Sequence, residues 1–170
     1  VVVAYVLSVA ACIPLSGWFA DRFGIRNTYF SSIVIFTLAS LGCALSQSLE
    51  QLLFFRVIQG IGGALLLPVG RLAMLKVIPR VQFLSAMSLM SLAGLIGPLI
   101  GPTLGGWLVE AATWHWIFLI NLPMGLLGIF VTFKAMPNIK EAQVKKFDFS
   151  GFILLVVAMV GISLGIEKFS

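Results

Sequence analysis

Long apolar runs separated by short clusters of charge make up most of the chain. A bilayer core about 30 Å thick is crossed by roughly 20 apolar residues in a helix. Six runs approach or exceed that length, at residues 1–20, 27–49, 51–70, 81–109, 111–133 and 149–166. The pattern therefore predicts six membrane-spanning helices, and the short connections between them predict that successive helices alternate in direction.

Composition agrees with a lipid environment. The chain is 60% hydrophobic and 10% charged, with a mean hydropathy of +1.11, whereas a soluble domain carries about 25% charged residues. The eleven Lys and Arg residues are scattered between the apolar runs and form no basic stripe, so we expect no nucleic-acid partner. The predicted fold class is an all-α polytopic membrane protein with the lipid bilayer as its surroundings.

The two ends of the chain lie at apolar runs. Val1 opens inside one run and Ser170 follows directly after another, so we expect a fragment of a longer protein, and no signal peptide is identified. Cys12 and Cys43 each lie within an apolar run and have no partner at metal-ligand spacing. We therefore expect no disulfide framework, metal or cofactor.

Nine of the eleven basic residues fall on one side of the predicted topology, namely Arg22, Arg26, Arg71, Lys76, Arg80, Lys134, Lys140, Lys145 and Lys146. The positive-inside rule makes this side cytoplasmic. The connections on the opposite side hold Glu50, Glu110, Glu167 and Lys168. We therefore expect a multi-pass protein of the bacterial inner membrane.

Aromatic residues mark the predicted ends of the spans. Trp18 closes the first run, and Trp114 and Trp116 flank His115 at the start of the fifth. Because tryptophan favours the membrane–water interface, the simplest interpretation of His115 is an interfacial residue. A proton-carrying histidine is the alternative, and the neighbouring Glu110 at a membrane edge argues against it.

Five residues in the first connection stand at fixed spacing: Gly17, Asp21, Arg22, Gly24 and Arg26. The Asp21 carboxylate can pair with Arg22 or Arg26, or meet the positive N-terminus of another helix. A solvated loop that only sets the topology is the simpler alternative. The spacing G-x-x-x-D-R-x-G-x-R resembles the signature loop of the major facilitator superfamily. The resemblance implies a cytoplasmic latch, in which the acid holds two halves of a transporter closed.

Arg56 lies inside the third run, where a charged residue costs about 2.5–3.5 kcal/mol on membrane-insertion scales. Such a residue indicates function, with a side chain reaching the outer surface as the alternative. Gly60 and Gly63 follow on the same helix and predict the close approach of another helix. Arg56, Gln59 and Gly60 resemble the R-x-x-Q-G motif of proton-coupled members of that superfamily, which implies a role in proton transfer.

The fourth run carries glycines four residues apart, at Gly97, Gly101 and Gly105, with prolines beside them. Such a face predicts a kinked helix packed closely in the protein interior, and a packing face without a further role is the alternative. The full set of Gly97, Pro98, Gly101, Pro102, Gly105 and Gly106 resembles the antiporter motif of drug exporters. The resemblance implies export by antiport, although Ser88 stands where the family often has glycine.

The stretch 114–125 resembles the drug:proton antiporters with fourteen helices, with His115 where an arginine is common, and the wider run 69–151 is similar to multidrug exporters. This implies a partial N-terminal major facilitator bundle at 1–135, lacking its first helix. A cytoplasmic connection follows at 136–148, and a further transmembrane helix at 149–170. The C-terminal half of the same chain is then the expected partner.

The resemblance implies a secondary transporter that exports drugs or other lipophilic small molecules in exchange for protons by alternating access. A transporter of sugars or organic acids, and a sensor on the same fold, remain alternatives. No carboxylate lies at mid-depth, so a proton-binding acid is expected elsewhere in the protein. The chain has no HExxH, GxSxG or Walker-type loop, so we expect no enzyme.

Overall fold

The computed structural model describes residues 1–111, 113–141 and 147–169, with side-chain surroundings given for all of these except 93, 109 and 162–169. Within these ranges every regular element is an α-helix. The helices are α1 (Val2–Cys12), α2 (Leu15–Phe23), α3 (Ile25–Ala44), α4 (Leu49–Val77), α5 (Arg80–Ala111), α6 (Trp116–Leu119), α7 (Asn121–Ala135) and α8 (Phe149–Phe169). The predicted all-α membrane fold is confirmed.

The first predicted span is not one straight helix. The structure divides it into α1 and α2, which meet at a bend of 56°. Pro14 lies at the bend with a φ of −64° and is the N-cap of α2. Because proline lacks a backbone N–H and its ring collides with the preceding turn, the helix is interrupted there. Hydropathy alone cannot reveal this break, since Pro14 lies within the apolar run.

Three of the other predicted spans have shifted ends. α3 ends at Ala44, five residues before the predicted limit. α4 continues through Arg71 to Val77, because helical hydrogen bonding does not stop where the apolar core of a bilayer ends. The predicted fifth span starts too early: Ala111 still belongs to α5, and the apolar helix begins at Trp116.

The number of spans follows from length and hydropathy. Among the described residues, four stretches are long and apolar enough to cross a membrane: Ile25–Ala44, Leu49–Val77, Arg80–Leu108 and Trp116–Ala135. The bent pair α1 and α2 makes a fifth if it crosses as one span. For the predicted sixth span, α8 runs from Phe149 to Phe169, and its described apolar part is Phe149–Gly161. The side chains of Glu167 and Lys168 lie outside the described residues.

α3 is the centre of the bundle. It packs along α4 and also contacts α2, α6 and α7, while α1 lies against α4. The close approach of α7 depends on Gly125, where an added Cβ would collide with the Thr37 side chain. α5 makes only sparse contact with α4 and α6.

Two small cores hold the ends of the bundle. One consists of Ala20, Ile25, Leu65, Val69 and Ala73, with Met136 and Ile139 packed against it. The other consists of Cys43, Ala44 and Phe118. The first core shows that the segment after α7 returns to the ends of α2, α3 and α4.

The predicted connection 136–148 is described only in part. Lys76 forms an ion pair with Glu141, and Asn138 and Lys140 lie against Gly24. These contacts bring together residues that the charge pattern assigns to one side of the membrane. Lys145 and Lys146 lie outside the described residues.

Candidate functional site

The turn at Gly24 joins α2 to α3 and has a conformation that favours glycine. Its φ is +90° and its ψ is 151°, a region that side chains with a Cβ rarely enter. An added Cβ would also collide with Asn138 and would lie 2.9 Å from Cγ of Lys140. On the other side of the turn, the Thr28 hydroxyl donates to the carbonyl of Phe19 at 2.9 Å. Gly24 is therefore required by both backbone geometry and space.

Asp21 lies in the last turn of α2 and is half-buried. Of its two possible interactions, the pairing with Arg22 or Arg26 is not formed: within the described ranges, the only ion pair with N···O of 4.0 Å or less is Lys76 with Glu141. The Arg22 guanidinium instead lies over the Trp18 ring, 5.1 Å from its centroid. A carboxylate near the C-terminal end of its own helix is not stabilised by that helix's dipole.

Gly17 lies one turn before Asp21 on α2. No described atom comes within 4 Å of the position that its Cβ would occupy. The face that Gly17 and Asp21 share is therefore not covered by the part of the chain that the structure describes.

Arg56 is held by a chain of hydrogen bonds through uncharged side chains. Its Nη1 donates to Oε1 of Gln59 at 3.2 Å, and Nε2 of Gln59 donates to the Ser40 hydroxyl at 2.6 Å. That hydroxyl donates in turn to the carbonyl of Phe36 at 2.9 Å. Gln59 is only 2% exposed, so the chain of bonds runs through the contact between α4 and α3.

Two aromatic rings complete the surroundings of Arg56. The guanidinium carbon lies 4.5 Å from the ring centroid of Phe118 and 5.6 Å from that of Tyr5. Cations are attracted to aromatic faces at these distances. The head group is therefore turned towards α1 and α6.

The positive charge of Arg56 has no anionic partner among the residues that the structure describes. Its Nε atom is buried and has no hydrogen-bond partner among these residues. A buried donor without a partner represents an unmet interaction. The charge of the half-buried guanidinium is therefore not neutralised within the described residues.

Glycines beside Arg56 set the distances between helices. A Cβ on Gly60 would lie 2.9 Å from the carbonyl oxygen of Tyr5 and 2.7 Å from Cβ of Ser8. A Cβ on Gly63 would lie 3.1 Å from the Tyr5 hydroxyl. α1 thus passes directly over these glycines, which is how the Tyr5 ring reaches Arg56.

The predicted antiporter motif lies on α5, which is one helix from Arg80 to Ala111. The expected close packing is not provided by this chain, because no described atom lies within 4 Å of an added Cβ at Gly97, Gly101, Gly105 or Gly106. Pro98 and Pro102 lie inside the same helix. The motif therefore presents an open glycine face.

His115 lies in the turn before α6, and its ring stacks on Trp114 with centroids 3.7 Å apart. Trp114 in turn meets Phe118 edge to face at 6.2 Å. The histidine is therefore part of an aromatic group next to the Arg56 site. Separately, the described residues include no group of His, Cys, Asp or Glu arranged to hold a metal.

An apolar cavity of about 400 Å³ lies among α1, α2, α3 and α4. Its walls are almost entirely hydrocarbon, with a few small polar groups. The lining residues are Cys12, Leu15, Phe19, Phe23, Asn27, Thr28, Ser31, Ser32, Ile35, Ile61 and Leu65. The cavity therefore offers few groups to which a solute could hydrogen-bond.

The sequence interpretation missed the two rings at Arg56, Tyr5 and Phe118, and also Ser40, which binds Gln59. For Ser40 a signal exists, because Thr28, Ser32 and Ser40 stand four and eight residues apart in an apolar span and share one helix face. For the two rings the apolar runs hold many equivalent aromatic residues, so only the structure identifies them.

Comparison with known proteins agrees with this geometry. A sequence profile of the Major Facilitator Superfamily matches residues 1–166. The MdtD proteins of Salmonella typhi and Salmonella enteritidis, whose names refer to multidrug resistance, are 53% identical over 167 residues, or 98% of this chain. The crystal structure of the peptide transporter POT matches 97% of the chain with a TM-score of 0.73 and 15% identity, a likeness of fold alone.

The helical bundle, with its glycine-lined contacts and its long apolar helices, is that of a multi-pass membrane protein. The chain belongs to the Major Facilitator Superfamily, whose members are transporters and not enzymes. It spans 35% of the length of the MdtD relatives that it matches.

Proposed function

We propose that the protein containing this chain exports drugs or other lipophilic small molecules across the bacterial inner membrane in exchange for protons. Export proceeds by alternating access, in which two half-bundles rock against each other around a central site. The observation that carries the proposal is Arg56, a half-buried cation that has no carboxylate partner in the described residues.

Proton coupling needs a group whose interactions change when an acid gains or loses a proton. Arg56, with Gln59 and Gly60 beside it, supplies a permanent positive charge that attracts a carboxylate. When the carboxylate is protonated, it loses its charge and the attraction ends. The carboxylate comes from outside the described residues, because none of these offers one to Arg56. Differential binding of protons then biases the two states of the transporter.

The latch in this proposal consists of Gly17, Asp21, Arg22, Gly24 and Arg26. Two features support it: the Asp21 carboxylate has no ion-pair partner in the described ranges, and the Gly17 face beside it is open. Such a surface suits a contact that is made in one state and broken in the other. Residues 1–135 then form the N-terminal bundle, 136–148 the cytoplasmic connection, and 149–170 the following helix.

The glycine face of α5 is the proposed contact with the C-terminal half of the transporter. Gly97, Gly101 and Gly105, together with Pro98, Pro102 and Gly106, present backbone without side chains over several turns. A helix of the C-terminal half packs against this face, because small residues allow close approach within a membrane.

The cargo assignment rests on the apolar cavity and on the MdtD relatives. The cavity walls offer little to a hydrated solute, and the names of the relatives refer to multidrug resistance. Lipophilic cations and neutral drugs are therefore the substrates to test first.

The test is efflux of a fluorescent lipophilic cation from cells that express the full-length protein, with and without a protonophore. Wild-type efflux that the protonophore stops and that Arg56→Ala loses would support the proposal. Efflux that ignores the protonophore would remove proton coupling. A well-inserted protein without efflux would point to another cargo, and uptake and export of sugars and organic acids would be measured next.

A further inference from the structure

Hydrogen-bond direction around Arg56 depends on one buried hydroxyl. Ser40 is 0% exposed, and its proton is directed to the carbonyl of Phe36 at 2.9 Å. Its oxygen is therefore left as an acceptor for Gln59 at 2.6 Å. A hydroxyl has one proton to donate, so donation to Phe36 determines what Ser40 offers to its other neighbour.

The orientation of the Gln59 amide follows from Ser40. With Nε2 bound to the serine oxygen, Oε1 points at Arg56 and accepts from its Nη1 at 3.2 Å. The reversed amide would place an N–H against a guanidinium N–H, and two donors repel each other. Because Gln59 is buried, no solvent replaces a lost partner.

We propose that Ser40 is a positioning residue for Arg56, acting through the Gln59 amide. The inference rests on the proposed coupling role of Arg56 and adds to it a residue on a different helix. A carboxylate in the place of Gln59 would neutralise the arginine, whereas the serine–glutamine pair holds the head group and leaves its charge intact. The charge of the half-buried guanidinium then remains available to an acid that arrives during transport.

The structure provides a matched control on the same helix. Ser32 is also 0% exposed, and its hydroxyl donates to the carbonyl of Thr28 at 2.6 Å, one turn back, as Ser40 does to Phe36. Ser32 has no bond to Gln59 or Arg56 among the described residues. Ser32→Ala and Ser40→Ala therefore remove the same local bond, but only the second releases the amide.

The first readout does not require transport. Purified full-length protein is treated with the arginine reagent phenylglyoxal, and the adduct at Arg56 is followed by peptide mass spectrometry, with the exposed Arg71 as the internal reference. Ser40→Ala is expected to raise the labelling rate of Arg56 about fivefold, the order of factor that the loss of one net hydrogen bond implies. Ser32→Ala should leave it at the wild-type rate.

Equal Arg56 labelling in the two alanine variants overturns the assignment of Ser40, whatever transport shows. If Ser40→Ala does not accumulate in the membrane, Ser40→Cys compared with Ser32→Cys gives the same contrast, because a thiol has the same shape at slightly larger size and is a weaker acceptor.

The second readout is protonophore-sensitive efflux in a double-mutant cycle. Ser40→Ala is expected to reduce it about fivefold in the wild-type background and to have no further effect beside Gln59→Ala, since residues that act through a common partner are not additive. Independent effects of the two substitutions overturn the inference. If Ser40→Ala raises the labelling of Arg56 but efflux does not depend on protons, the positioning role of Ser40 is supported. Only the proposed function is then contradicted.

Discussion

The backbone N–H of Ile25 donates to the carbonyl of Ile139 at 3.0 Å. Ile25 is the first residue of α3, where helices lack intrahelical acceptors for their N–H groups, and Ile139 belongs to the segment that follows α7. The Ile139 side chain packs on the core that contains Ala20 and Val69. The connection after the bundle is therefore fastened to the turn that holds the proposed latch.

The ion pair between Lys76 and Glu141 fastens the same segment to the end of α4. Because the two side chains are 24% and 48% exposed, we expect it to contribute less than about 1 kcal/mol. Glu141→Lys should lower the thermal unfolding temperature of the detergent-solubilised protein slightly, and the exchange Lys76→Glu with Glu141→Lys should restore it. An exchanged variant as unstable as the single one would contradict a specific pair.

Gly24→Ala should destabilise the protein by about 1–3 kcal/mol, because the residue would be forced into a left-handed backbone conformation. The added Cβ would also displace Asn138 and Lys140. Thermal unfolding of the variant measures the effect. Gly161→Ala is the control, since an added Cβ there meets no described atom within 4 Å. Equal stability of the two variants would show that the turn relaxes without cost.

The fold was predictable where one physical rule dominates. The apolar run at 27–49 predicts α3 because crossing a bilayer demands about 20 apolar residues in any context. The bend at Pro14 was missed because hydropathy does not record the loss of a backbone hydrogen bond. The helix end at Val77 was missed because Arg71 marks the end of the apolar run and not the end of the helix.

The candidate site was predictable to the level of single residues but not of their contacts. Arg56 stands out because a charge in an apolar span is costly. Its link to Ser40 depends on the rotation of α3 against α4, which the spacing within either helix does not determine. The missing ion pair of Asp21 was unpredictable for the same reason, since Arg22 had the alternative of the Trp18 ring.

Asp21→Asn should reduce efflux about tenfold or more while leaving membrane insertion unchanged. In the proposed latch the carboxylate accepts charge-assisted hydrogen bonds, worth about 1.5–3 kcal/mol, and an amide does not replace them. Asp148→Asn is the control, because Asp148 accepts from the N–H of Gly151 at 2.9 Å and an asparagine oxygen can do the same. Normal efflux by Asp21→Asn would remove the latch role.

Phe118→Leu should weaken efflux about fivefold, since it keeps an apolar side chain but removes the ring face next to Arg56. A cation–π contact of a half-buried arginine contributes about 1 kcal/mol, which corresponds to about fivefold. The control is Phe54→Leu on α4, where the ring is 63% exposed. Efflux and thermal unfolding are measured for both variants. Equal efflux would indicate that Phe118 only fills space.

Gly101→Leu should impair both folding and efflux of the full-length protein. Because no described atom lies near the position of its Cβ, the defect must arise from contact with a part of the protein outside these residues. Gly161→Leu on α8 is the control for bulk alone. Stable insertion and normal efflux of Gly101→Leu would show that nothing packs closely on the α5 face.

The hydroxyl groups of α3 affect how this helix inserts into the membrane. Ser32, Thr37 and Ser40 each donate to a carbonyl one turn back in their own helix, at 2.6, 2.7 and 2.9 Å. A hydroxyl that is hydrogen-bonded within its own helix enters the membrane at little cost, even before a neighbouring helix is present. We therefore expect α3 to insert into the membrane before α4 packs against it. The oxygen of Ser40 then still accepts from Gln59 and aligns the two helices.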